Sequence, residues 1–213
     1  MGRLLEFIAK GMAAYMDFGM GILITSLTAY GMGVVLEPWQ LIIGGFLAFL
    51  PDMDIVWLLL TGQKHKIPLH HTMPLHRPLF VIPVVTMVAW YVFGTFWGVV
   101  TFLCVTYHYM HDTKGPLGGA GLQWFWPISK MEWTLRGPEP LSQHLNPTLD
   151  EWLTKEWLRP SRLSLFEIGL GTFALISGVA LSYNACAAFA IGSAFLFGAF
   201  VVWYLNEKEE KVD

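Results

Sequence analysis

Runs of roughly 20 predominantly apolar residues recur along this chain, and no other feature constrains its folding as strongly. In hydrocarbon every backbone N–H and C=O must be satisfied within the protein, a condition each helix meets by itself. The expected fold class is therefore all-α, a polytopic membrane helical bundle. About six transmembrane helices are predicted, over 18–36, 39–62, 78–93, 95–111, 163–182 and 185–205. Composition agrees: 54% of residues are hydrophobic, 14% are charged and the mean hydropathy is +0.50. A net charge of -3 with scattered basic residues gives no electrostatic stripe. Nucleic acid is thus excluded as a partner, and the lipid bilayer is the expected one.

The links after 36, 93 and 182 (Glu37-Pro38, Gly94 and Tyr183-Asn184) hold no Lys or Arg. Every basic residue falls in the N-terminus, the 63–77 loop, the 112–162 loop or the tail, so the positive-inside rule places both termini in the cytoplasm. The opening MGRLLEFIAKGMAAYM lacks a small-residue cleavage site, and no removed signal peptide is expected. Cys104 and Cys186 lie in separate apolar runs and read as small buried hydrophobes, without a disulfide.

The segment 39–62 carries Pro51, which removes a backbone donor, followed by two aspartates, so it is predicted to be a broken helix. Thr148-Leu-Asp-Glu151 has capping-box spacing and Pro160 is a stop. Residues 148–159 then read as a short amphipathic cytoplasmic helix, lying on lipid or acting as a lid on the protein. The expected organisation is a metal-site helical core over 1–130, a cytoplasmic loop over 131–162, and a C-terminal helix pair with a tail over 163–213. That last pair is rich in Gly, Ala and Phe and reads as scaffold or as a homo-oligomer surface.

Six of the seven histidines lie between His65 and His111, with Asp52, Asp54 and Asp112 in or beside the same window. Ionisable groups next to membrane spans are costly, and those that persist line a cavity, pair with one another or bind an ion. His108, His111 and Asp112 stand at i, i+3 and i+4, on one face at the end of the fourth helix. The bland alternative is a helix end where histidines cap carbonyls and Asp112 meets Lys114. Asp52 and Asp54, two apart, would diverge on a continuous helix but can converge at the Pro51 break, where one of them is expected to act as an N-cap. Loop residues His71 and His76 are five apart across Pro74 and can approach an ion from different directions. Asp17, at the start of the first helix, is explained as a partner of the positive helix end, yet shares the membrane depth of the other candidates. His65 and His144 are left out of the core site.

Leu50-Pro51-Asp52-Met53-Asp54, His71-x4-His76, His108-x3-Asp112, Gly115-Pro116 and Trp126-Pro127 together resemble the YdjM-like family of membrane-bound metal-dependent hydrolases. The resemblance spans roughly 15–130. It implies kinship to the zinc-dependent phospholipase C and P1 nuclease group, an inner (plasma) membrane location, and Asp52, His71, His76, His108 and Asp112 as ligands. The chain departs from the family pattern at Ile55, at Thr72-Met73 and at Arg77, and Asp17 stands where the family has a His. Asp17 and His111 join the expected metal ligands. Asp54 and Arg77 are assigned to the reaction, with Arg77 or Lys114 clamping a phosphate.

The function this predicts is a metal-dependent hydrolase of a phosphoester or lipid-like substrate at the cytoplasmic membrane surface. Its cofactor is a divalent metal, zinc first, with manganese or iron as alternatives. An iron-dependent membrane oxygenase is the runner-up, but the chain has few imidazoles for one and many carboxylates. A non-enzymatic ion carrier or scaffold is third, since carriers of this kind show two matching broken helices and one is visible here.

Overall fold

The computed structural model describes residues 11–54, 73–113, 121–134, 137–139, 157–158 and 160–210. Six α-helices are found among them: α1 (Tyr15–Met32), α2 (Pro38–Ala48), α3 (Pro78–Phe93), α4 (Thr95–Asp112), α5 (Arg162–Ser182) and α6 (Ala185–Glu210). Their positions follow the six apolar runs. Three are long and apolar enough to cross a membrane, over Gly11–Met32, Arg162–Ser182 and Ala185–Tyr204. The expectation of six crossings is thus met in part. At 16 residues and about 1.5 Å per residue, α3 reaches roughly 24 Å against a hydrocarbon core of about 30 Å. In α4 the polar His108, His111 and Asp112 take up the last turns.

The chain divides into two compact units, Met1–Gly45 with Asp150–Asp213, and Phe46–Leu149. In the first, α1 ends where Gly33 adopts a left-handed conformation at φ 67°, its N–H reaching the carbonyls of Ala29 and Tyr30. Ser161 caps α5 through a reciprocal pair of hydrogen bonds with Ser164. α1 and α5 run parallel and approach through small residues: a Cβ on Gly171 would stand 2.9 Å from Met16 Cα, and one on Gly178 2.9 Å from the Leu23 nitrogen. Close backbone approach replaces the hydrophobic drive that lipid does not provide, and hydrogen bonds between the helices add to it. Tyr15 Oη lies 3.2 Å from Thr172 Oγ1, Ser26 Oγ donates to Gly178 O at 2.8 Å, and Ser182 Oγ donates to Ser26 Oγ at 2.8 Å. α6 packs on α5 while Phe189, Phe197 and Phe200 stay exposed, which suits a lipid-facing helix. Neither cysteine is in a disulfide; Cys104 is buried as expected, whereas Cys186 is exposed at the start of α6.

Of the expected amphipathic helix 148–159, only Trp157 and Leu158 lie within the described residues. Both are buried, and Trp203 Nε1 donates to the Trp157 carbonyl at 3.0 Å.

The second unit holds α3 and α4, paired as a hairpin through Gly94 at φ 87°. Val81, Val105, Tyr109 and Leu122 form its buried core, with Leu50, Ile82, Val85 and Trp124 packed against them. The fold is mostly helical as expected, with one small addition: Glu132–Thr134 and Gly137–Glu139 pair as a two-stranded antiparallel hairpin, β1 and β2. A three-residue strand is too short to announce itself by periodicity. Leu122 pairs with Trp133, which seats the 121–131 segment against β1.

Candidate metal centre

Pro51 breaks the helical run as the sequence predicts. α2 stops at Ala48, and a single 3₁₀ turn, Leu50–Asp52, carries Pro51 at its start before helical geometry resumes at Met53 and Asp54. A second 3₁₀ turn, Pro74–His76, precedes α3 and packs against the first. α4 presents His108 and Asp112 one turn apart, and its C-terminal end meets the Leu50–Asp52 turn. Three short pieces of backbone therefore converge within the second unit.

Their side chains make one cluster, Asp52, His76, His108 and Asp112, with one donor atom from each lying within 4.8 Å of all the others. His76 Nε2 is 3.5 Å from Asp52 Oδ1 and 3.5 Å from Asp112 Oδ2. His108 Nε2 is 3.4 Å from Asp52 Oδ1 and 3.1 Å from Asp112 Oδ2. Four donors held about 2.0–2.2 Å from one tetrahedral ion stand roughly 3.3–3.6 Å apart, so these spacings fit a small divalent ion. Two imidazoles and two carboxylates suit zinc and also admit manganese or iron. The histidines are buried, whereas Asp52 and Asp112 are each 16% exposed at the side chain.

Asp54 faces the other nitrogen of His76, its Oδ2 2.8 Å from Nδ1 with both residues buried. A carboxylate behind a metal-binding imidazole holds the Nδ1–H tautomer and turns the Nε2 lone pair toward the ion. Asp52 and Asp54 thus divide their work across the break, one in the cluster and one behind it. Burial lowers the basicity of His76, but the facing carboxylates of Asp112, Asp52 and Asp54 outweigh it and push the imidazole up to about 10.

Among the described residues this group of four does not include His111, Arg77 or Asp17. His111 Nδ1 is 3.9 Å from Asp112 Oδ1, and its ring stacks on Tyr107 at 6.1 Å. Arg77, next to His76, lays its guanidinium 3.6 Å above the Trp126 ring. Asp17 is buried in the first turn of α1, in the first unit. His71 and Lys114 lie outside the described residues.

One supporting residue has no signal in the sequence. Tyr109 is fully buried, its ring edge-on to both His76 and His108, and its hydroxyl donates to the Leu75 carbonyl. It ties the Pro74–His76 turn to α4. Nothing in the run His108-Tyr109-Met110 distinguishes that tyrosine from a lipid-facing one.

The model of the YdjM inner membrane protein family matches residues 12–208. Comparisons with curated proteins and with solved structures return no match.

Proposed function

The chain belongs to the YdjM inner membrane protein family, and on that premise we propose that it is a membrane-embedded metal-dependent hydrolase acting on a phosphoester or lipid-like substrate. Asp52, His76, His108 and Asp112 would hold a divalent ion, zinc first and manganese or iron next. One observation carries the reading: four donor atoms from three separate backbone pieces meet with imidazole-to-carboxylate spacings of 3.1–3.5 Å. Such an ion supplies Lewis acidity and lowers the pKa of its water to about 7.

The protein's own residues do the rest. The two imidazoles are buried, and the part-exposed carboxylates of Asp52 and Asp112 would be the groups that substrate and water approach. Asp54 positions His76. Arg77, one residue from the cluster with its guanidinium 3.6 Å over the Trp126 ring, would meet an anionic group of the substrate. His71, His111 and Asp17 remain proposed as further ligands, and a cytoplasmic location of both termini remains a proposal resting on charge.

The test is metal content by elemental mass spectrometry on detergent-purified protein, wild type beside Asp112→Ala and His76→Ala. Stoichiometric zinc or manganese that is lost in both variants supports the site and opens a screen of phosphoester and lipid substrates. A wild type that binds none of zinc, manganese or iron after reconstitution overturns it.

A further inference from the structure

The segment 121–131 has no part in the cluster, yet its aromatic tip is joined to it. Phe125, Trp126, Pro127 and Ile128 form a turn closed by the Trp126 N–H on Gln123 O at 3.2 Å and the Ser129 N–H on Phe125 O at 2.9 Å. The turn is fixed from below, with Trp124 Nε1 donating to Thr113 Oγ1 at 2.8 Å and Leu122 in the core. From this rigid base it presents apolar groups outward: Phe125 is exposed, and Ile128 is 83% exposed. Lys130 follows at the surface.

Its depth can be read from α3. That helix carries no charged residue and exposes Leu79 and Phe80 from its first turn, a surface that would meet hydrocarbon as soon as the helix begins. Arg77, the residue before it, therefore marks the boundary where a guanidinium can reach headgroups and water. α4 returns antiparallel to the same level, where Met110 in its last turn is also exposed. Arg77 lies 3.6 Å over Trp126, which sets that ring and the turn around it at the same boundary. Tryptophan beside arginine, flanked by exposed apolar residues and a lysine, is the residue pattern of the headgroup layer.

We infer that the Phe125–Ile128 turn, clamped by Arg77 on Trp126, is an interfacial foot that rests in the lipid headgroup layer and fixes the adjoining Asp/His cluster at that depth. The occupant of this surface is the bilayer, reached by continuity with the exposed apolar face of α3. The placement does not rest on the hydrolase reading, because it holds with or without an ion in the cluster.

The experiment uses full-length protein in proteoliposomes of phosphatidylcholine and phosphatidylglycerol. Cys186, the exposed cysteine, is changed to Ser, and a nitroxide is attached at Ile128→Cys. Collision with oxygen is compared with collision with a water-soluble nickel chelate. An oxygen-to-nickel accessibility ratio several-fold above that of the same label free in buffer is expected, falling toward the buffer value in Arg77→Ala. A ratio equal to the buffer value in the parent overturns the foot. So does an immobilised label shielded from both reagents, which would mean a protein contact. A ratio unmoved by Arg77→Ala overturns the clamp. The same label at Phe125→Cys tests the turn if the Ile128 variant fails to insert.

Discussion

Asp54 Oδ2 lies 2.8 Å from His76 Nδ1, behind the imidazole whose Nε2 faces Asp52 and Asp112. Asp54→Ala removes the acceptor that fixes the tautomer, and metal affinity should fall about 10–100-fold. Asp54→Asn keeps an oxygen to accept Nδ1–H and loses the charge, so it should fall between Ala and wild type. Competition with a chromophoric chelator measures both. Equal affinity in all three proteins would leave Asp54 with no positioning role.

Metal binding should strengthen with pH. With a pKa of about 10 in its carboxylate surroundings, His76 carries a proton near neutrality that an ion must displace. One displaced proton predicts an affinity gain of about tenfold per pH unit, levelling off as the pH nears that value. The stability of chelator-treated protein should run the other way. A group with a raised folded-state pKa contributes stability that is fully present below its unfolded value, about 6.5, and lost as pH rises through about 10. Melting temperatures in detergent across that window, with chelator and with zinc, should therefore diverge, the chelated sample declining more steeply. Parallel curves would refute the coupling.

Tyr109→Phe leaves the ring in place and deletes only the hydroxyl donated to Leu75 O. An unsatisfied carbonyl in a poorly hydrated place costs about 1–3 kcal/mol. The cost falls on the Pro74–His76 turn, so metal affinity should drop while the helical circular dichroism is unchanged. A variant with wild-type affinity would show that the turn is held by packing alone.

How far the sequence can be read depends on the range of the interactions involved. Helix positions were legible because each span satisfies its own backbone, and Pro51 marked its break because a missing donor is a local fact. His108 and Asp112 converge as their one-turn spacing predicts, whereas His111, on the same arc, turns aside onto Tyr107. The division of labour between Asp52 and Asp54 was not legible, since it depends on where the 3₁₀ turn aims each carboxylate. Nor was the Arg77–Trp126 contact, made by residues 49 positions apart that only the fold brings together. The β1–β2 hairpin is held by pairing rather than by pattern.

The parallel contact of α1 with α5 sets two glycines of one helix against each other as a test. Gly171 faces α1, where an added Cβ would lie 2.9 Å from Met16 Cα, a backbone atom that cannot rotate away. Gly169, two residues earlier, has no atom within 4 Å of such a Cβ. Gly171→Ala should force the helices apart and destabilise the protein by about 1–3 kcal/mol, the usual cost of overpacking. Gly169→Ala adds only helix propensity and should be neutral or stabilising by up to about 1 kcal/mol. Thermal unfolding in one detergent, followed by helical circular dichroism, compares the two directly. Opposite shifts are expected, and equal losses would mean that the α1–α5 contact is not the close approach that excludes a methyl group.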